Sequence, residues 1–123
     1  MNNREIKFRV WDKIRKRFEP HGSYQDEFIS IALGFYSDVC ISSDSLVLQQ
    51  FTGKLDVNNR PIYEGDILRW AGAGETGYNY VCEYSLEECA YVLRYNRGKD
   101  YVYVNDFDMH IIANICENPS ILT

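Results

Sequence analysis

Residues 78–95 read Tyr-Asn-Tyr-Val-Cys-Glu-Tyr-Ser-Leu-Glu-Glu-Cys-Ala-Tyr-Val-Leu-Arg-Tyr, and the folding of this stretch decides the class of the chain. Two readings compete. Ser85 followed three residues later by Glu88 has the spacing of a capping box, which opens a helix. The flanks VCEY and YVLRY oppose this. They are rich in valine and tyrosine, which suit a pleated surface, and each is too short for a stable helix. Residues 78–84 and 89–95 are therefore expected to be two strands of a hairpin, with its tip at residues 85–88.

Period-2 alternation recurs on both sides of this hairpin. Ile6, Phe8 and Val10 alternate with Lys7, Arg9 and Trp11, which predicts a half-buried strand. Residues 12–17 (DKIRKR) form a charged turn, after which Phe18 re-enters the protein. Residues 46–51 read as another strand. The stretch TGKLDVNNRPIYEGD is turn-rich, and residues 62–70 read as two short strands hinged at Gly65. Asn96-Arg97-Gly98 predicts a further turn, followed by YVYV and a strand over residues 109–116. Asn118 is placed as an N-cap, with Pro119 at the first position of a short terminal turn. Residues 24–36 stay ambiguous between helix and strand. The pattern predicts one mainly β domain over residues 1–123, a small barrel or pseudo-barrel with short helical segments.

The chain has 123 residues, 46% of them apolar and 25% charged, which excludes a disordered chain. No apolar run approaches the ~18–20 residues needed to span a bilayer, so no membrane association is expected. The net charge of −5 conceals a split. Residues 1–17 hold seven of the 13 Lys and Arg residues against Glu5 and Asp12, a local +5, and the remainder carries −10. The N-terminus shows no apolar segment of signal-peptide length, which points to the cytoplasm. Cys40, Cys82, Cys89 and Cys116 form no close pair of the kind zinc sites use, and each neighbours apolar residues. They are expected to be reduced, buried thiols.

Little in the sequence suggests chemistry. Residues 72–77 (GAGETG) match a G-x-G-x-x-G pattern after a predicted strand. The following Tyr78-Asn79-Tyr80-Val81 favours a strand over the helix that a dinucleotide site requires, so no cofactor is expected. Asp106, Asp108 and His110 alternate and share one face of an extended strand, as a cation site would need. They also suit the solvated reverse of a face made by Phe107, Met109 and Ile111, and no metal is expected. His21 and His110 lie in no nucleophile motif, and no carboxylate pair converges, so no enzymatic activity is expected. The basic strand is the most suggestive feature. Lys7, Arg9 and Trp11 share a face, and Lys13, Arg15, Lys16 and Arg17 follow. Cations around an aromatic ring could hold nucleic acid, or could meet acidic residues of the same chain or of a second copy.

Three blocks carry a family resemblance: EIKFRVWDKIRKRF, LQQFTGKLDVNNRPIYEGDILRW and IIANICENPSIL. In this order, over nearly the whole chain, they resemble the YopX family of bacteriophage and prophage proteins. The likeness is densest at Phe51-Thr52-Gly53, at residues 62–67, and at Asn114-Ile115 with Glu117-Asn118-Pro119. The chain departs from the pattern at Lys54-Leu55, where the family has Leu-Lys, at Ala113 for a glycine, and at Cys116 for an aromatic residue. The resemblance implies a compact all-β, barrel-like domain working in the bacterial cytoplasm, and supplies no catalytic residues. The bend at Tyr63, Gly65 and Asp66 resembles the sharp turns of SH3-like barrels. There Gly65 would permit the bend and Asp66 would accept nearby backbone N–H groups. Phe51-Thr52-Gly53 reads as a strand end and turn. The expected function is a non-catalytic interaction or self-assembling module, with a nucleic-acid-binding accessory protein as the alternative. Exposed tyrosines within residues 78–103 favour the former.

Overall fold

The computed structural model describes residues 7–19, 45–72, 77–105 and 108–122. The ambiguous stretch at residues 24–36, together with Cys40, Asp106 and Phe107, lies outside them. The chain divides into two compact units at residue 50, and each is described by itself.

The first unit is built on a hairpin. Strand β1 (Phe8–Asp12) turns through residues 13–16 into β2 (Arg17–Phe18), pairing Trp11 with Phe18 and Asp12 with Arg17. Lys16 takes a left-handed φ of 56°, and its N–H returns to the Asp12 carbonyl at 2.8 Å. On its other edge β1 pairs antiparallel with the start of β3 (Leu46–Leu55), from Phe8 opposite Gln50 to Asp12 opposite Leu46.

The rest of the described chain forms a small pseudo-barrel. After Gln50, β3 runs on to Leu55 and pairs with β4 (Pro61–Tyr63). A five-stranded antiparallel sheet follows: β5 (Asp66–Trp70), β6 (Tyr80–Ser85), β7 (Ala90–Tyr95), β8 (Asp100–Tyr103) and β9 (Met109–Asn114), in the order β8-β7-β6-β5-β9. One sheet face and β4 close around Ile62, Leu68, Cys82, Tyr91, Leu93, Val104 and Met109. Ile62, Leu68 and Leu93 are almost wholly buried, and each contributes about 1.5–3 kcal/mol by leaving water. A 3-10 turn at Pro119–Leu122 ends the described chain, beginning at the proline as expected.

The decisive hairpin is present, with Val81 opposite Arg94 and Ser85 opposite Ala90. Ser85 Oγ accepts the Glu88 N–H at 3.2 Å, so the capping hydrogen bond forms but closes a turn instead of opening a helix. One expectation is corrected. Phe51-Thr52-Gly53 does not end a strand: β3 continues to Leu55, with its register against β4 shifted between Phe51 and Leu55. Gly53, at φ 92°, absorbs the irregularity, because without a Cβ it enters this region at no steric cost.

Candidate interaction surface

In the first unit, the basic residues predicted as an interface are largely engaged with their own hairpin. Arg9 donates through Nε to Gln49 Oε1 at 2.9 Å, and its guanidinium lies 4.3 Å from the Phe18 ring centroid. Trp11 shares that face, as expected, but is 8% exposed and meets Phe18 edge-on at 5.0 Å. It therefore offers no open ring for a base to stack on. Lys7 is half-buried, whereas Lys13, Arg15, Lys16 and Arg17 are exposed on the turn. Asp12, buried beneath them, accepts the N–H groups of Ile14 (2.9 Å) and Arg15 (3.1 Å). Arg15 pairs with Asp12 at 3.8 Å and Glu19 at 3.7 Å, and Arg17 with Glu19 at 3.9 Å. Burial raises the Asp12 pKa, but the two backbone N–H groups, a Glu19 hydrogen bond and the Arg15 charge outweigh it, leaving it below the ordinary value. The local positive charge is met first by acids of the same hairpin.

The motif residues of the second unit form a buried scaffold. Phe51 and Tyr63 pack at 5.8 Å, and Thr52 Oγ1 accepts the Lys54 N–H at 3.1 Å. Gly65 has φ 84°, and Asp66 Oδ2 accepts the Tyr63 N–H at 2.8 Å, which closes the expected bend. Asp66 Oδ1 accepts from Asn114 Nδ2 at 3.1 Å, and Asn114 Oδ1 accepts the Cys116 N–H at 2.8 Å. Asn118 donates its N–H to the Asn114 carbonyl at 2.7 Å, just before Pro119. Two sequence blocks joined through residues 48 positions apart are thus one polar network. A polar group buried this deeply is tolerated because its partners are supplied.

An open surface lies at the far end of the decisive hairpin. Tyr78, Tyr80 and Tyr95 form a cluster, with Tyr95 5.0 Å from Tyr78 and 4.8 Å from Tyr80. Burial, followed by the neighbouring Tyr95 and Tyr78 hydroxyls, raises the Tyr80 pKa. Beside the cluster runs a groove of about 590 Å³, whose lining includes Tyr78, Val81, Arg94, Tyr95, Arg97 and Ile115. Arg94 is paired with Glu83 across the strands. Arg97, at φ 58°, stands with Asn96 and Gly98 in the turn that the sequence predicts, and the structure shows all three in the left-handed region. Tyrosine and arginine are the residue types enriched at protein interface centres. The expectation of exposed tyrosines holds for Tyr78, Tyr84, Tyr101 and Tyr103, whereas Tyr80 and Tyr95 are half-buried and Tyr91 is in the core. Sequence reading did not assemble the groove, because its walls come from residues 78–83, 94–98 and 115. The hairpin expectation carried one step further sets Tyr80 beside Tyr95, and that signal could have found it.

At the tip end, Glu88 accepts the hydroxyls of Tyr101 at 2.6 Å and Tyr103 at 2.8 Å. These bonds hold the Glu88 carboxyl below its ordinary pKa and push Tyr101 up to about 12. Removing the acceptor charge with Glu88→Gln is expected to return the Tyr101 titration toward 10. NMR of labelled tyrosine rings checks this, and an unchanged midpoint would refute the clasp.

Among the described residues no three His, Cys, Asp or Glu side chains come together to hold a metal. Asp108 is exposed and His110 half-buried. The thiols need a correction: Cys82 is buried, but Cys116 is half-buried and Cys89 is exposed at the tip, where a φ of 52° turns the chain. In the glycine pattern, a Cβ at Gly72 would come within 3.0 Å of the Trp70 ring, and the chain beyond Gly77 enters β6. Among the described residues, no helix is long and apolar enough to cross a membrane.

Residues 7–123 match the family model described as YopX protein. Among solved structures, the chain is similar to protein EF1440 from Enterococcus faecalis, at 19% identity and a TM-score of 0.63. That alignment covers 98% of this chain and 100% of the other, and the likeness is one of fold. Comparison with curated proteins gives no match.

Proposed function

Because the chain belongs to the YopX family, we propose that it is a phage- or prophage-encoded, non-catalytic interaction module that assembles with copies of itself in the bacterial cytoplasm. The supporting observation is the groove beside Tyr78 and Tyr95, an open site of ligand-pocket volume with the residue types of interface centres. Nucleic acid is the lesser reading. Trp11 is buried, and Arg15 and Arg17 are committed to Asp12 and Glu19, which leaves Lys13 and Lys16 as the cations of the turn tip.

Light scattering after size exclusion, at low and high salt over a concentration series, tests the proposal. The weight-average mass is expected to rise with concentration, and a strict monomer throughout would overturn it. Fluorescence anisotropy with single-stranded oligonucleotides tests the lesser reading. Binding that weakens in a Lys13→Ala/Lys16→Ala variant would promote nucleic acid to first place.

A further inference from the structure

The groove has a counterpart on the same unit. At the β6–β7 tip, Leu86 is 84% exposed, the most exposed of the large hydrophobic residues described. Glu87 stands next to it, exposed, and no ion pair engages it among the described residues. The groove presents the complement: apolar Val81 and Ile115, flanked by Arg97, which likewise has no ion-pair partner among the described residues. An exposed leucine beside a carboxylate matches an apolar groove beside a guanidinium in both shape class and charge.

We propose that the β6–β7 tip of one copy docks in the groove of the next, with Leu86 as the apolar knob and Glu87 facing Arg97. This rests on the assembly reading above and names its contact. The tip cannot serve its own groove. Strand pairing holds up to Ser85 opposite Ala90, and the groove's tyrosine end lies at the other end of the same hairpin. At a rise of ~3.3 Å per residue, Tyr80 and Ser85 are separated by roughly 17 Å of rigid ladder. Knob and groove are different patches of one chain, which makes the contact head-to-tail. Every open assembly then keeps one unused knob at one end and one unused groove at the other, and it grows until it closes into a ring or extends as a filament.

Sedimentation equilibrium of the full chain, from about 10 μM to about 1 mM, suits a contact smaller than a standard interface. Leu86→Asp removes the knob and Arg97→Glu opposes the tip. Both positions are on exposed turns, and circular dichroism confirms that each variant is folded. Each variant alone is expected to associate at least ~30-fold more weakly than the wild type, the effect of losing an interface centre. An equimolar mixture has one intact knob and one intact groove, so it is expected to form a pair and stop there. A wild type that stays monomeric overturns this contact together with the assembly reading. Wild-type association that survives in either variant overturns the contact alone. A mixture that stays monomeric, or grows past two chains, overturns the head-to-tail arrangement.

Discussion

Replacing Asp66 with alanine is expected to lower folding stability by about 3 kcal/mol, a large share of the ~5–15 kcal/mol that holds a domain of this size folded. The carboxylate is 1% exposed and accepts the Tyr63 N–H and the Asn114 side-chain amide. Alanine leaves both donors buried without those acceptors, and an unsatisfied buried group costs about 1–3 kcal/mol. Asparagine is expected to cost less, because its oxygen can still accept from Tyr63. Its amide then faces that of Asn114, which can reorient only by giving up Cys116. Urea unfolding followed by tryptophan fluorescence measures both variants. A loss below about 1 kcal/mol in the alanine variant would mean that the network is ornamental.

The second large effect concerns Asp56. Burial raises its pKa, but the N–H groups of Arg60, Ile111 and Asn58 and the Arg60 charge outweigh burial, holding it below the ordinary 3.8. A carboxyl depressed in the folded state stabilises the fold above its unfolded value, and that stability is lost as pH falls through the folded value. Asp56 is therefore expected to contribute fully at neutral pH and to drive part of the acid unfolding that begins below about pH 4. An amide at this position does not ionise. Asp56→Asn keeps an oxygen for Asn58 and Arg60, but loses Oδ2, which accepts from Ile111 and the Arg60 guanidinium. The expected cost is about 3 kcal/mol at pH 7, shrinking as pH drops. Urea midpoints measured from about pH 7 to about pH 3 check this. A difference between wild type and variant that stayed constant with pH would refute the assignment.

The sequence conveyed element type well wherever flanking residues had strong preferences. Valine and tyrosine beside Ser85 and Glu88 decided the hairpin, and the Gly65 bend and the turn at residues 96–98 followed from their own residues. Gly53 was misread because a glycine that ends a strand and one that bends it within a continuing ladder look alike locally. The β3–β4 register is what separates them. Trp11 illustrates a different limit. Alternation identified its face, but both faces of β1 are covered: Val10 is fully buried on one, and Trp11 lies under the Arg9–Phe18 stack on the other. Cys89 shows the same limit, since apolar sequence neighbours do not bury a side chain carried on a hairpin tip. The groove was least legible, being assembled from segments that meet only through sheet order.

The Asp66–Asn114 bond also bears on how fast the molecule folds. It joins residues 48 positions apart, and the Asp56–Ile111 bond spans 55. The first cannot form until β5 has found β9, nor the second until the turn between β3 and β4 has reached β9, so loop closure must precede the interactions that reward it. The local β6–β7 hairpin suits the role of early template, with the polar network completed late on the folding route. Weakening a late contact leaves the folding limb of a chevron nearly unchanged and accelerates unfolding. The two buried aspartates are therefore expected to act chiefly as latches on the lifetime of the native state.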